Sequence, residues 1–317
     1  MFMGTFQGLK KAGLLGINGR NAHYTLACNP RRRYPLVDDK LRTKRLAAEA
    51  GLAVPALLGV VETESQIRRH LHPFLQGRQD FVIKPSRGSG GNGILIVSGR
   101  SGALYRRIGG DLVEPPALAY HVSNILSGMY SLGGQPDRAM IEERVHFDPV
   151  FEAVLHQGVP DIRIIVFLGV PVMAMVRLPT RLSGGRANLH QGAIGAGIDM
   201  GSGRTLAGVW RNEVVFEHPD TGNRIDKILV PGWSRLLEMA ARCRELTQMG
   251  YLGVDLVLDR EHGPLVLELN ARPGLAIQLA NRAGLRPRLD MAAQAAAGLA
   301  DIPARVAFAR ERFAVTR

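Results

Sequence analysis

The chain reads as an α/β protein of roughly two domains, and three observations predict it. The first is size and composition: 317 residues, 46% hydrophobic and 21% charged, are globular values with ample chain for a core. The second is the recurrence of short, β-rich apolar runs between segments with helical spacing. The third is that two of those runs end in polar residues suited to phosphate and metal chemistry. Phe81-Val82-Ile83-Lys84 ends in a lysine and enters a glycine-rich loop, and Val266-Leu267-Glu268-Leu269-Asn270 ends in two oxygen donors.

Taken in order, residues 1–37 are rich in Gly and Arg and too few for a nucleotide-binding α/β domain. Asp38-Asp39 reads as the N-cap of a helix running through Ala50 and ended by Gly51. A second helix spans Glu64 to Leu75. Phe81–Lys84 and Ile94–Val97 are strand-like runs joined by the glycine loop, which predicts a hairpin. Residues 100–137 read as irregular, with one helix from Ala117 to Met129. Strands resume at Met140–Val145, Asp161–Leu168 and Val172–Leu178. Ser183 to Gly203 reads as a glycine-rich loop, too long for a plain connection and so a functional candidate. In Ser234 to Gln248, Leu236, Leu237, Ala240, Ala241 and Cys243 fit one buried helical face. The strands of Asp255 and Glu268 form a second hairpin, followed by mostly helical sequence. Boundaries at 1–37, 38–145 and 146–317 follow.

The hairpin loop carries chemistry. Gly88, Gly90, Gly91 and Gly93 let backbone N–H groups approach phosphate oxygens, Ser86 and Ser89 lie among them, and Lys84 supplies counter-charge. Residues 88–93 also match G-x-G-x-x-G, but that fingerprint needs a helix after the last glycine, and Ile94-Leu95-Ile96-Val97 is a strand. No Gly-Lys-Ser/Thr closes the loop, so it is not a P-loop either. At the other run, Glu268 and Asn270 share a strand face because side chains two apart point the same way. Asp255, inside the apolar run Val254-Asp255-Leu256-Val257-Leu258, completes an oxygen-donor set and needs a partner there. Few, hard oxygen ligands suit Mg²⁺, with Mn²⁺ as an alternative ion, alongside water and nucleotide phosphates. Phosphate cradle and metal set together point to ATP.

Other classes recede. No apolar run approaches the roughly 18–20 residues of a membrane span. The N-terminus has no secretion signal, and Cys28 and Cys243 lack metal or redox spacing, which fits a reducing cytoplasm. The net charge of +12 comes from arginines spread along the chain. It attracts anions, and ATP with an acidic second substrate satisfies it without nucleic acid.

Val37-Asp38-Asp39-Lys40, Phe81-Val82-Ile83-Lys84-Pro85, Asp161-Ile162-Arg163, Asn188-Leu189-His190-Gln191-Gly192, Gly253-Val254-Asp255-Leu256 and Glu268-Leu269-Asn270 with Pro273-Gly274-Leu275 occur in one order. Together they resemble the ATP-grasp superfamily, and more narrowly the RimK-type α-L-glutamate ligases and the ligase-like proteins grouped with them. The similarity covers about Val37 to Gly284. It implies two α+β-type lobes clamping ATP, one carrying the glycine loop as a lid. It also implies an ATP-dependent carboxylate–amine ligase working through an acyl phosphate, its partners an acidic carboxylate and an amine on an amino acid, peptide or protein tail. A truncated N-terminal segment stands where such enzymes carry a full preceding domain, and a second subunit of a homo-oligomer could replace it.

The same resemblance suggests roles. Lys40 matches the first ATP lysine, although a helix-surface lysine is the plain alternative. Glu142, Glu143 and Val145 match the interlobe segment whose backbone reads adenine. Asp148 and Glu152 are equal candidates for the ribose hydroxyls. Arg163 and Arg177 sit on neighbouring strands, where a phosphate or a structural salt bridge would pair them. Asn188 reads as a γ-phosphate or metal-side contact and His190 as an acceptor-site residue. Arg272 resembles an arginine of the carboxylase branch that supports the reacting anion. Two rival readings use the same ATP site: a phosphotransferase, and an ATP-binding regulatory module without turnover.

Overall fold

The computed structural model describes residues 6–88 and 90–315, which divide into two compact units. The smaller comprises residues 39–41 and 54–146; the larger comprises residues up to 38, residues 42–53 and residues from 147 onward.

The smaller unit is built on six antiparallel strands: β1 (Leu57–Val61), β2 (Phe81–Pro85), β3 (Leu95–Ser101), β4 (Leu104–Arg107), β5 (Leu112–Val113) and β6 (Ala139–Glu142). They are ordered β1-β6-β2-β3-β4-β5. Phe81, Ile83, Val97 and Ile141 point into a core shared with Leu118, Val122 and Ile125 of the helix Pro115–Leu126. Thr63 starts the next helical segment, accepting the N–H of Gln66 while the Gln66 side chain reaches back to the Thr63 N–H. β2 and β3 pair with Phe81 opposite Val97, so the expected hairpin is present and no helix follows the glycines. The stretch expected to be irregular holds β4 and β5. Exposed Arg106 and Arg107 mask β4 in the sequence; it is held because Tyr105, 4% exposed, meets Phe81 edge to face at 5.5 Å.

The larger unit carries seven antiparallel strands: β7 (Asp161–Phe167), β8 (Val170–Leu178), β9 (Ile194–Ile198), β10 (Thr205–Trp210), β11 (Glu213–Val215), β12 (Tyr251–Asp259) and β13 (Gly263–Asn270). Their order is β11-β10-β9-β8-β7-β12-β13. The helix Trp233–Thr247 buries the five residues expected of it and packs against β7, β8, β12 and β13. Every residue of β12 is buried. The long glycine loop expected from Ser183 to Gly203 is shorter, because Ile194-Gly195-Ala196-Gly197-Ile198 is the fully buried β9. Its glycines weaken the strand signal but admit the helix Ile277–Asn281: a Cβ on Gly197 would lie 2.8 Å from the Ala280 carbonyl oxygen.

Candidate active site

In the smaller unit the lysine and the glycine loop form a braced assembly. Lys84, next to last in β2, is 5% exposed, and its Nζ lies 2.7 Å from Oε2 of the buried Glu142 on β6. The register places Glu142 opposite Val82, so Lys84 reaches it from the diagonal position. The Lys40 N–H donates to the Ser86 carbonyl at 2.9 Å, and Lys40 Nζ donates to the Gly88 carbonyl. Ser86 Oγ donates to Asp39 at 2.6 Å, and Arg138 pairs with the same carboxylate. Asp137 accepts from the Arg87 N–H at 2.9 Å and from Ser131 Oγ at 3.0 Å. Two buried aspartates therefore fix the loop entry. At the exit, His121 Nε2 lies 3.0 Å from the Gly93 carbonyl, and burial lowers the pKa of that imidazole, favouring the neutral ring.

Glycine is required at two places here. A Cβ on Gly88 would meet Pro85 at 2.3 Å, and Gly93, at φ +75°, would press a Cβ into the Tyr130 ring at 2.5 Å. Gly90 and Gly91 also take positive φ. Ser89 lies outside the described residues. Of the expected adenine-reading segment, Glu142 faces Lys84, Val145 is half-buried, and Glu143 is exposed with its N–H donating to the Ala56 carbonyl at 2.9 Å. Asp39 and Asp137 were not singled out by sequence; Asp39 reads there only as a helix cap.

In the larger unit a polar row crosses one face of the sheet. Arg177 on β8 stands opposite Asp161 on β7, Arg163 on β7 opposite Asp255 on β12, and Asp255 opposite Glu268 on β13. Arg163 grips Asp255 with two N–H groups, at 2.7 and 2.5 Å. Arg177 forks onto both Asp161 oxygens and reaches Asp255 at 2.8 Å. Carboxylates are thus the partners these arginines have in the fold, and the arginines are partners that Asp255 has. Burial pushes Asp161 up to about 6, helped by the Asp255 charge and opposed by Arg177. Burial acts on Asp255 in the same direction, but Arg163 and Arg177 outweigh it and hold that carboxyl well below the usual range.

Asp255 and Glu268 are in side-chain hydrogen-bond contact, and Asn270 Nδ2 lies 3.3 Å from Asp255 and 3.5 Å from Glu268. Two carboxyls this close need counter-charge to offset their repulsion, and Arg163 and Arg177 supply it on the Asp255 side. Rotating the Asn270 amide would present its oxygen to the same place. Among the described residues no three His, Cys, Asp or Glu side chains form a metal-holding group; the donor set is two carboxylates and one amide. That set fits Mg²⁺ with waters filling the remaining positions. Glu268 and Asn270 are its more open members, since guanidiniums occupy both Asp255 oxygens.

The remaining candidates have local partners. Asn188 caps the turn Leu189–Gln191 by accepting the His190 N–H at 3.0 Å, and His190 is exposed. Thr180 Oγ1 and Trp210 Nε1 both donate to the Gly192 carbonyl, at 2.8 and 2.9 Å, and pin that loop. Asp148 caps residues 149–154 by accepting the Val150 N–H at 2.8 Å. Glu152 is exposed. Arg272 is exposed and lies over the Tyr34 ring, 5.1 Å from its centroid.

Two antiparallel sheets with flanking helices, one bearing a lysine–glycine hairpin and the other an Asp/Glu-x-Asn strand pair, define an ATP-grasp protein. Residues 19–294 match the family model for sugar-transfer associated ATP-grasp proteins, and the chain belongs to that family. Among solved structures it is similar to the ATP-grasp ligase PsnB with a minimal precursor, at 16% identity over 85% of this chain and 63% of that one, with a TM-score of 0.44. It is similar also to D-alanine–D-alanine ligase from Bacillus anthracis (13% identity, 86% and 70% covered, TM-score 0.46). A third is the D-cycloserine synthetase DcsG (16%, 85% and 73%, 0.45). The chain thus spans under two thirds of PsnB. No curated protein matches it. No helix among the described residues is long and apolar enough to cross a membrane.

Proposed function

We propose that the protein is an ATP-dependent carboxylate–amine ligase. The observation that carries this reading is the polar row of the larger unit, where Arg163 and Arg177 adjoin the oxygen donors Asp255, Glu268 and Asn270. Family membership supports ATP as the energy source. In this reading Lys40, Lys84 and the loop at Ser86–Gly93 bind ATP phosphates, and Glu268 and Asn270, with Asp255, hold Mg²⁺. Bound there, Mg²⁺ would neutralise phosphate charge.

A carboxylate is a poor acylating agent until one oxygen becomes a phosphate leaving group. The substrate carboxylate attacks the γ-phosphorus of ATP and ADP departs; an amine then attacks the carbonyl carbon, Pi leaves, and the amine proton is released as the amide forms. Arg163 and Arg177 offer guanidinium charge to the acyl phosphate and its tetrahedral successor, held in place by Asp161 and Asp255. The RimK-type resemblance supports glutamate or a similar amino acid as one substrate.

The test is release of ADP and Pi across a panel of acids and amines, followed by hydroxylamine in place of the amine. A trapped hydroxamate alongside ADP is the expected result. A stable phosphorylated acceptor without free Pi would make the protein a phosphotransferase. ATP binding with no turnover under any pairing would make it a regulatory module.

A further inference from the structure

Residues 20–34 have no role in the reading above, yet they are bound to the strand end that bears Glu268 and Asn270. Asn29 is 2% exposed. Its Oδ1 accepts the Tyr251 N–H at 2.9 Å, while Nδ2 donates to the carbonyls of Tyr251 at 2.7 Å and Ala271 at 3.2 Å. Tyr251 opens β12, and Ala271 directly follows Asn270. The β12–β13 ladder runs out at Gly253 opposite Asn270, and the Asn29 amide supplies bonds where further rungs would stand. The neighbours act alike. The Gly250 N–H donates to the Cys28 carbonyl at 2.9 Å, Arg20 donates to the Pro273 carbonyl at 2.9 Å, and Arg272 stacks over Tyr34.

We infer that Asn29 is a positioning residue that fixes the backbone at Tyr251 and Ala271 and thereby sets how Glu268 and Asn270 present their oxygens to the metal. The inference rests on the proposal that those two residues are metal ligands. It goes beyond that proposal in assigning part of the metal affinity to a residue more than two hundred positions away in the chain. The chemistry is specific to an amide. One planar group must accept from an N–H and donate to two carbonyls; aspartate keeps the acceptor, loses the donors and turns a charged oxygen toward both carbonyls. Without the clamp the last residues of β13 fray, and the ligands lose their preset geometry.

The test compares wild type with Asn29→Asp, Asn29→Ala, Arg20→Ala and Glu268→Ala. Mn²⁺ binding is followed by electron paramagnetic resonance, folding by thermal melts, and the segment 268–274 by amide hydrogen exchange. Removing a supporting partner weakens metal binding by about tenfold to a hundredfold, and that is expected of both Asn29 variants, with faster exchange around Ala271. Arg20→Ala should shift both readouts in the same direction by less. Turnover of the Asn29 variants should recover at raised Mg²⁺ with the KM for ATP unchanged. A variant that is merely less stable would lower the bound fraction and leave the titration midpoint in place. An unchanged midpoint and unchanged exchange in folded Asn29 variants overturn the inference; if neither folds, the same null result in Arg20→Ala overturns it. Should wild type show no Mn²⁺ site that Glu268→Ala removes, the metal assignment itself falls and takes this inference with it. Exchange at Ala271 would still report whether the clamp exists, so the two failures are distinct.

Discussion

Arg163 and Asp255 stand directly opposite each other on antiparallel β7 and β12, joined by two hydrogen bonds of 2.7 and 2.5 Å, with Asp255 wholly buried. A fork-to-fork pair of this kind fixes the angle of both groups as well as their distance. It settles how a carboxylate survives inside the apolar run Val254–Leu258. The pair also fixes the Arg163 guanidinium on the carboxylate that Asn270 Nδ2 approaches at 3.3 Å.

Asp255→Ala should cost about 3–5 kcal/mol of unfolding free energy, because it strips the largely covered Arg163 of its bidentate partner and Arg177 of one contact. Urea unfolding followed by circular dichroism measures this. A loss under about 1 kcal/mol would show that the pair contributes little to the fold.

Glu268→Ala should behave differently. Glu268 is only half-buried at the end of β13, so the melting temperature should stay close to that of wild type. ADP release should nevertheless fall on the order of a hundredfold or more, as for loss of a group acting on transition-state charge. Near-normal turnover in the folded variant would sink the metal assignment.

Lys84→Met should weaken ATP binding and also destabilise the smaller unit, since Glu142 is 2% exposed and would lose its ammonium partner. Adding Glu142→Leu should restore stability, as paired apolar groups can replace a buried ion pair, and should not restore ATP binding. A double variant that regains nucleotide affinity would assign the lysine to structure alone.

Asp161 gives a pH signature. Its folded pKa is raised to about 6 by burial, so the folded state binds a proton more tightly than the unfolded chain. That contribution is complete below the unfolded value near 3.8 and is lost as pH rises through about 6. Thermal stability should therefore decline across that window. Asp161→Asn should flatten the decline; an unchanged pH slope in that variant would place its cause elsewhere.

The residues that announce the chemistry were legible because they are local. Lys84 stands next to last in an apolar strand that runs into glycines, Glu268 and Asn270 alternate on one strand, and the helix Trp233–Thr247 shows its buried face in its spacing alone. The absence of a helix after Gly93 followed from the β-rich run next to it. Weak local signals failed instead: β9 is two-fifths glycine, and β4 carries exposed arginines. Tertiary structure alone decided the partners. Asp161 meets Arg177, Asp255 meets both arginines, and the register shift after Asp255 brings it opposite Glu268. Asn29 finds Tyr251 across 222 positions. Sequence sets which face of a strand a side chain takes, by the two-residue alternation of the pleat. Which residue stands opposite depends on strand register, and register is set by hydrogen bonds between segments far apart in the chain.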